Sequence, residues 1–275
     1  MTMSLVDAFR RLLAHPLTRS LDIDSPATTE VRRQIVLSNS FLRKIYDEWY
    51  RMIAMRIPAG DGAVLEIGSG PGFLKDYIPN LICSEVFTCS NVHIALDARR
   101  LPFRQASLKS IVMIDVMHHI PDSRAFLSEA DRCLRPGGSI IMIEPWVSRW
   151  SKLIYRHLHH EPFDPRSEEW TFPEAGPLSG ANGALPWIVF ERDRGRFESE
   201  FRDLTVKEVS RFMPFRYLVS GGVSMRQLMP GFMFRPVRAA EALFDGRAWA
   251  MFALVQLTRT SGAGGPGVAI SSRNR

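Results

Sequence analysis

Residues 64–73 read Val-Leu-Glu-Ile-Gly-Ser-Gly-Pro-Gly-Phe, an apolar run that ends in an acid and leads into three alternating glycines. The apolar run is typical of a buried parallel strand, and the glycines are typical of a tight turn before a helix. Such a turn lets a ligand approach the backbone closely, because no Cβ stands in the way. The spacing is G-x-G-x-G, whereas the dinucleotide-binding fingerprint is G-x-G-x-x-G. The stretch therefore predicts a ligand-binding turn, and the rest of the chain must identify the ligand.

Strand-like and helix-like stretches alternate along the rest of the chain. Further strands are predicted at residues 85–90, 94–97, 110–117, 140–143, 204–212 and 251–257. Between the fourth and fifth strands, Asp122 or Ser123 can cap a helix in which Phe126, Leu127 and Ala130 recur at helical spacing. This alternation predicts an α/β protein with a doubly wound, Rossmann-like sheet.

The character of the sequence changes along its length and divides it into five segments. Residues 159–203 are rich in proline, glycine and aromatic residues, and a long irregular stretch of this kind is usually functional. Its place after the fifth strand puts it beside the cleft, so we predict an inserted substrate lid there, with a satellite core beneath a long loop as the alternative. The predicted segments are N-terminal helices at 1–60, the main core at 61–158, the lid at 159–203, the end of the sheet at 204–259 and a disordered tail at 260–275.

Composition narrows the classes of protein that this chain can belong to. The 275 residues are 45% hydrophobic, enough for a large core, but no run approaches the roughly 20 apolar residues of a membrane span. Three cysteines without metal-ligand spacing indicate a reducing compartment, so a cytoplasmic protein is expected. The net charge of +6 comes from scattered basic pairs. Because no basic run is interleaved with aromatic residues, a nucleic-acid partner is not expected.

Four motifs in order give the chain a resemblance to a known family. The chain closely resembles the class I S-adenosylmethionine-dependent methyltransferases in Glu66-Ile-Gly68-Ser-Gly70-Pro-Gly72, in Asp97-Ala98 with Leu101-Pro102-Phe103, in Val116-Met117-His118-His119-Ile120 and in Leu134-Arg135-Pro136-Gly137-Gly138. The resemblance implies a seven-stranded sheet whose last strand is antiparallel. It also implies that S-adenosyl-L-methionine binds across the carboxyl ends of the strands, where open α/β sheets bind their ligands.

The resemblance also implies a set of cofactor-binding residues. The glycine turn would wrap the methionine part of the cofactor, and the residues after the third strand would bind the adenine. The family usually ends its second strand in an acid that holds the ribose hydroxyls. Here that place is expected near Cys89 and Ser90, without a carboxylate, and Ser90 or Asn91 could hydrogen-bond the ribose instead. The predicted cofactor-binding residues are Glu66, Gly68, Ser69, Gly70, Gly72, Ser90, Asp97, Ala98 and Asp115.

Candidate catalytic residues follow the fourth and fifth strands. Methyl transfer to oxygen or nitrogen benefits from a base that takes the proton of the acceptor. We predict His119, His118, Glu144 and His160 for such roles, although His118 and His119 could also serve only in packing, and Glu144 could be a structural partner. Residues 157–164 contain a dense cluster of histidine and acidic side chains. This cluster has three possible roles, namely a metal site, a contact to the substrate or its catalysis, or helix capping and surface. Adjacent residues seldom point together, so no metal ligand is assigned.

The resulting prediction is an S-adenosyl-L-methionine-dependent methyltransferase that acts on an oxygen, nitrogen or carbon of a small molecule. One alternative is a methyltransferase-like binding or scaffold subunit without turnover. A nicotinamide-dependent oxidoreductase is a weaker alternative, because the glycine spacing argues against it.

Overall fold

A seven-stranded sheet forms the centre of the protein in the computed structural model, which describes residues 13–18, 21–159, 161–176, 178–244 and 246–260. The strands are β1 (Ala63–Glu66), β2 (Leu81–Glu85), β3 (Ile94–Ala95), β4 (Leu108–Ile114), β5 (Leu134–Pro145), β6 (Leu204–Phe212) and β7 (Phe252–Arg259). Their order is β3-β2-β1-β4-β5-β7-β6. β7 runs antiparallel to both neighbours, whereas the pairs from β3 to β5 are parallel. The predicted Rossmann-like sheet with an antiparallel last strand is confirmed.

Helices cover both faces of this sheet. They are α1 (Pro26–Ser38), α2 (Ser40–Ala54), α3 (Ser123–Cys133), α4 (Arg149–His157), α5 (Leu185–Trp187), α6 (Arg194–Glu200), α7 (Arg216–Ser220), α8 (Phe234–Glu241) and α9 (Gly246–Trp249). Short 3-10 turns lie at Leu74–Asp76, Met117–His119 and Gly231–Met233, and a π-helical turn at Ile188–Arg192 follows α5. Asp122 caps α3 as predicted, because its side chain accepts hydrogen bonds from the N–H groups of Arg124 and Ala125.

Strand β4 shows why its sequence is almost continuously apolar. Ile111 and Met113 pack into the core on one face of the sheet, and Val112 packs into the core on the other face. Successive side chains of a strand point to opposite faces, so a strand with helices on both sides must be apolar throughout. Its carboxyl end therefore emerges from the core at a fixed place, where the functional site begins.

The second strand is not where the sequence pattern predicted it. β2 spans Leu81–Glu85 and pairs with β1 through Val64 and Leu65, whereas residues 86–90 have left the sheet. β-favouring residues after Glu85 produced the error, but the apolar Leu81 and Ile82 complete the core beside β1. The expectation that this strand ends without a carboxylate is therefore wrong, because it ends in Glu85.

The segment from 159 to 203 has two structurally different parts. Trp170, Phe190 and Phe197 are fully buried and belong to the main core on one face of the sheet. Residues 161, 174, 176 and 178 instead line the cavity described below. A lid function for this segment stays a prediction.

Some predictions fall outside the described residues. The predicted disordered tail is among them, because residues 261–275 are not described. The part of the predicted N-terminal helices that falls in residues 1–12 also lies outside the described residues. Along the stretches that are described, none of the helices combines the length and apolarity needed to cross a bilayer.

Candidate active site

One cavity opens at the carboxyl ends of the parallel strands. It has a volume of about 450 Å³, which is within the size range of small-molecule sites. It is lined by the glycine turn after β1, by the ends of β2, β3 and β4, and by residues from α1, α2, α4 and the loop after α7. The cavity therefore occupies the position that ligands take in open α/β sheets.

The glycine turn is tightly held and requires glycine at its first position. Gly68 has φ +68°, and a Cβ added there would lie 2.4 Å from a methyl carbon of Val116. Gly70 has φ +41°, another conformation that side chains rarely adopt. Gly68 and Gly70 line the cavity, so the turn presents bare backbone to a ligand.

Other residues of the predicted cofactor set support the turn from behind. The Glu66 carboxylate accepts a hydrogen bond from the Ser69 hydroxyl at 2.7 Å, and the Ser69 carbonyl accepts one from the Gly72 N–H. Burial raises the pKa of Glu66 to about 7. None of these three residues lines the cavity, so the structure gives them a part in shaping the turn.

Two carboxylates face the cavity beside the turn. Glu85, at the end of β2, accepts hydrogen bonds from the N–H groups of Gly70 at 3.0 Å and Val86 at 2.9 Å. Asp97, beside the cavity-lining Ala98, is held by the guanidinium of Arg99, with Nη2 2.8 Å from Oδ2. Burial would raise the pKa of Asp97, but the bonds from Arg99 outweigh it and lower that pKa. Both acids are therefore fixed in position.

Ser90 does not reach the cavity. Its side chain is exposed and donates a hydrogen bond to the Glu30 carboxylate at 3.1 Å. Glu85 stands at the end of the second strand instead, in the place where the resemblance calls for an acid. With the second strand predicted too far along the chain, the ribose-binding position falls at Ser90 and not at Glu85.

Glu144 organises the turn that follows β4. Its Oε1 accepts hydrogen bonds from the N–H groups of Val116 and Met117, and its Oε2 lies 2.8 Å from Nδ1 of His118. Glu144 and His118 are both fully buried, and neither lines the cavity. Of the predicted catalytic residues, these two are thus placed to position the neighbouring groups.

His119 reaches the cavity with a defined tautomer. Its Nδ1 lies 3.0 Å from the carbonyl oxygen of Gly180, and because a carbonyl can only accept, Nδ1 carries the hydrogen. The lone pair is therefore on Nε2, which is 3.7 Å from Oε1 of Glu161. Burial and the positive charge of His118 lower the pKa of His119 to about 4, so its imidazole is neutral at pH 7.

Glu161 joins the two histidines into one cluster. Its Oε2 is 3.4 Å from Nε2 of His118 and 3.7 Å from Nδ1 of His159. Asp115, which lines the cavity with φ +61°, lies 4.0 Å from Nε2 of His118. Burial alone would lower the pKa of His118, but the carboxylates of Glu144, Glu161 and Asp115 outweigh burial and raise it well above the usual value.

The remaining site residues differ in whether they could be predicted from the sequence. His160 lies outside the described residues. Glu161 stands in the dense cluster at 157–164, but the sequence does not show that it packs against His118 and His119. Arg32, on α1, also lines the cavity and was treated only as one of several scattered basic pairs. Nothing local in the sequence marks Arg32, and the packing of Glu161 against the two histidines depends on contacts between distant segments.

Comparison with known proteins identifies the region around this cavity. Residues 65–142 match the sequence model of a family described as the methyltransferase domain. Over this segment the chain is similar to that family. The segment contains Glu85, Asp97, Asp115 and the two histidines, whereas Glu161 lies beyond its end. The resemblance to the class I methyltransferases is thereby confirmed.

Solved structures of other proteins are similar to this chain. Geranyl diphosphate C-methyltransferase from Streptomyces coelicolor, solved with Mg²⁺, geranyl diphosphate and S-adenosyl-L-homocysteine, is 12% identical, with a TM-score of 0.51, and the match covers 93% of this chain and 98% of that one. A SAM-dependent methyltransferase from Thermotoga maritima is 14% identical over 84% of this chain and 99% of its own, with a TM-score of 0.46. The [4+2]-cyclase SpnF is 13% identical over 78% and 82%, also with a TM-score of 0.46. At 12% identity, the likeness to the geranyl diphosphate enzyme concerns the fold alone.

Proposed function

We propose that this protein transfers the methyl group of S-adenosyl-L-methionine to an oxygen or nitrogen of a small molecule. The observation that carries the proposal is the continuity of the cavity. The same cavity is lined by the glycine turn, Glu85 and Asp97 and also by His119 and Glu161. A cofactor and an acceptor can thus meet without leaving the protein.

The residues around the glycine turn fit the cofactor. The backbone at Gly68 and Gly70 leaves room for a ligand that a Cβ would exclude. The carboxylate of Glu85 faces the cavity and can accept hydrogen bonds from the two ribose hydroxyls, and Asp97 can accept one from the adenine amino group. Arg32 lines the same cavity, and its buried Nε has no hydrogen-bond partner among the described residues, which suits the carboxylate of an amino acid.

The other end of the cavity fits a compact and partly apolar acceptor. Ile120, Ile154, Leu158 and Tyr155 line it, and the Tyr155 hydroxyl is already bonded to the carbonyl of Met251 at 2.9 Å. Apolar walls exclude water from the reacting atoms and leave few polar groups to orient the acceptor. His119, Glu161 and Asp115 are such groups, so the reacting atom is expected beside them.

The cofactor supplies an electrophilic methyl group on a sulfonium. In the transfer, a lone pair of the acceptor forms the new bond to carbon, and the electron pair of the broken S–C bond stays on sulfur. A hydroxyl or amine acceptor also loses a proton, and the face formed by His119 Nε2 and Glu161 is where it is lost. The protein's part is alignment, exclusion of water and this proton removal.

The test is formation of S-adenosyl-L-homocysteine from S-adenosyl-L-methionine in a screen of hydroxyl- and amine-bearing acceptors. His119→Gln should keep cofactor affinity and lose about 100-fold or more in turnover, because only the acceptor side of the cavity is altered. His157→Gln is the matched control, since His157 is exposed on α4 and does not line the cavity. Equal turnover in wild type and His119→Gln would contradict the role of this face. Cofactor binding without turnover for any acceptor would support the scaffold alternative.

A further inference from the structure

We propose that His118, His119 and Glu161 form a binding site for one divalent transition-metal ion. The two imidazoles and the carboxylate meet beside the cavity, and their candidate ligand atoms all lie within 4.8 Å of one another. Two imidazoles and one carboxylate are a donor set that zinc and related ions take in proteins. We call this group the His–His–Glu cluster.

In both histidines, the hydrogen bond made by Nδ1 is of the kind that a metal-ligating histidine makes with its second ring nitrogen. Nδ1 of His118 is held by the Glu144 carboxylate, and Nδ1 of His119 is held by the Gly180 carbonyl. A ligating histidine almost always donates its other ring N–H to a carboxylate or a backbone carbonyl. Both Nε2 atoms are therefore left to face Glu161.

The distances between the donor atoms suit a tetrahedral ion. With metal–ligand bonds of about 2.0–2.1 Å, the ligand atoms of a tetrahedral zinc site lie about 3.4 Å apart. Glu161 Oε2 is 3.4 Å from His118 Nε2, and Glu161 Oε1 is 3.7 Å from His119 Nε2. These two distances involve different oxygens of Glu161. With one ligand atom from each residue, the three atoms lie within 4.8 Å of one another, so side-chain shifts of about 1 Å would bring them to coordination distance.

The burial of His118 is a second and independent observation. Its side chain is fully buried, and Nε2 forms no bond of hydrogen-bonding geometry within the described part of the chain, although it points at the cluster. The proton on Nε2 of His118 would leave when the ion binds, and the ion would take its place between His118 and Glu161. The backbone also fixes this arrangement, because the Asn182 N–H donates to the His118 carbonyl at 2.9 Å.

The ion would have an open position toward the cavity. Asp115, which lies 4.0 Å from His118 Nε2, borders the cluster on the cavity side. If the proposed function holds, an oxygen of the acceptor would occupy the open position, and a hydroxyl there would release its proton to water on coordination. In the ion-bound protein His119 is then a ligand, and the acceptor class narrows to molecules with an ionisable oxygen. Binding of the ion itself does not depend on the proposed function.

The experiment is titration of tag-free, metal-stripped protein with Zn²⁺, followed by isothermal calorimetry, and with Co²⁺, followed by its visible absorption spectrum. We expect one ion per chain and a Co²⁺ spectrum typical of tetrahedral nitrogen and oxygen ligands. Glu161→Gln and His119→Gln should each lower Zn²⁺ affinity by about 10- to 100-fold or more. Circular dichroism confirms that each variant is folded.

Glu174→Gln is the matched control, because it removes a carboxylate from the same cavity outside the cluster and should leave Zn²⁺ affinity unchanged. Absence of Zn²⁺ binding in folded wild type would overturn the proposal. So would unchanged binding in Glu161→Gln and His119→Gln, since the ion would then lie elsewhere. Binding of S-adenosyl-L-homocysteine is measured in the same metal-stripped protein. If this ligand binds and Zn²⁺ does not, the metal site is refuted while the cofactor site of the proposed function stands.

Discussion

The carboxylate of Glu144 should be one of the largest single contributions to stability in this fold. It accepts two backbone hydrogen bonds, at 3.0 and 2.8 Å, and one from His118 at 2.8 Å, with no exposed surface on either side chain. In Glu144→Gln one oxygen can still accept from Val116 and Met117, but the amide NH₂ then faces His118 Nδ1. Hydrogen bonds to charged groups contribute about 1.5–3 kcal/mol, and breaking a buried ion pair costs about 3–5 kcal/mol. We therefore expect a loss of about 3 kcal/mol.

The assay is urea unfolding at pH 7, with wild type, Glu144→Gln and the surface control Glu208→Gln measured together. Glu208 pairs with Arg56 at 2.7 Å, but its side chain is 35% exposed, so its loss should cost less than about 1 kcal/mol. Equal m-values would show that the variants differ in stability alone. The reasoning would be refuted if Glu144→Gln unfolded within about 0.5 kcal/mol of Glu208→Gln.

Three further predictions concern the glycine turn and its acids. Glu85→Gln should weaken S-adenosyl-L-homocysteine binding about 10- to 100-fold by calorimetry, because a charged acceptor is lost, and unchanged affinity would exclude Glu85 from the ribose site. Gly68→Ala should lower the free energy of unfolding by about 1–2 kcal/mol or more, since φ is +68° and its Cβ would lie 2.4 Å from a side-chain carbon, whereas the control Gly195→Ala meets nothing within 4 Å. A similar loss in both glycine variants would argue against strain at the turn. Burial raises the pKa of Glu66 from 4.5 to about 7, so the folded state binds this proton more tightly and wild type loses stability as pH rises through that window. Between pH 4.5 and 8 the free energy of unfolding of wild type should fall by about 3 kcal/mol from this group, and that of Glu66→Gln should not show this fall. Parallel pH profiles of stability for the two proteins would contradict this.

The sequence predicted the fold because its signals are local or ordered along the chain. The strand predicted at 204–212 coincides with Leu204–Phe212, and Asp122, one of the two predicted cap residues, caps α3. The glycine turn was recognised because glycine spacing, strand and following motifs lie close together in the sequence. Periodicity and capping depend on neighbouring residues, so they can be read without knowledge of the tertiary structure.

The parts of the site that were missed depend on contacts between distant segments. The position of β2 is set by pairing with Val64 and Leu65, and a short run such as residues 81–85 carries too little pattern to compete with the β-favouring residues after it. The tautomer of His119 depends on the carbonyl of Gly180, which is 61 residues away. Glu161 was visible as a candidate, but only the folded chain shows that it completes a cluster with residues from the turn after β4.

The most direct test of the central claim is calorimetric titration of the purified protein with S-adenosyl-L-methionine and S-adenosyl-L-homocysteine, with NADH as the control ligand. A cavity bounded by Gly68, Gly70, Glu85 and Asp97 should bind both sulfur ligands at one site per chain and should not bind NADH. If the folded protein bound neither sulfur ligand, or bound NADH alone, the proposed function would be contradicted.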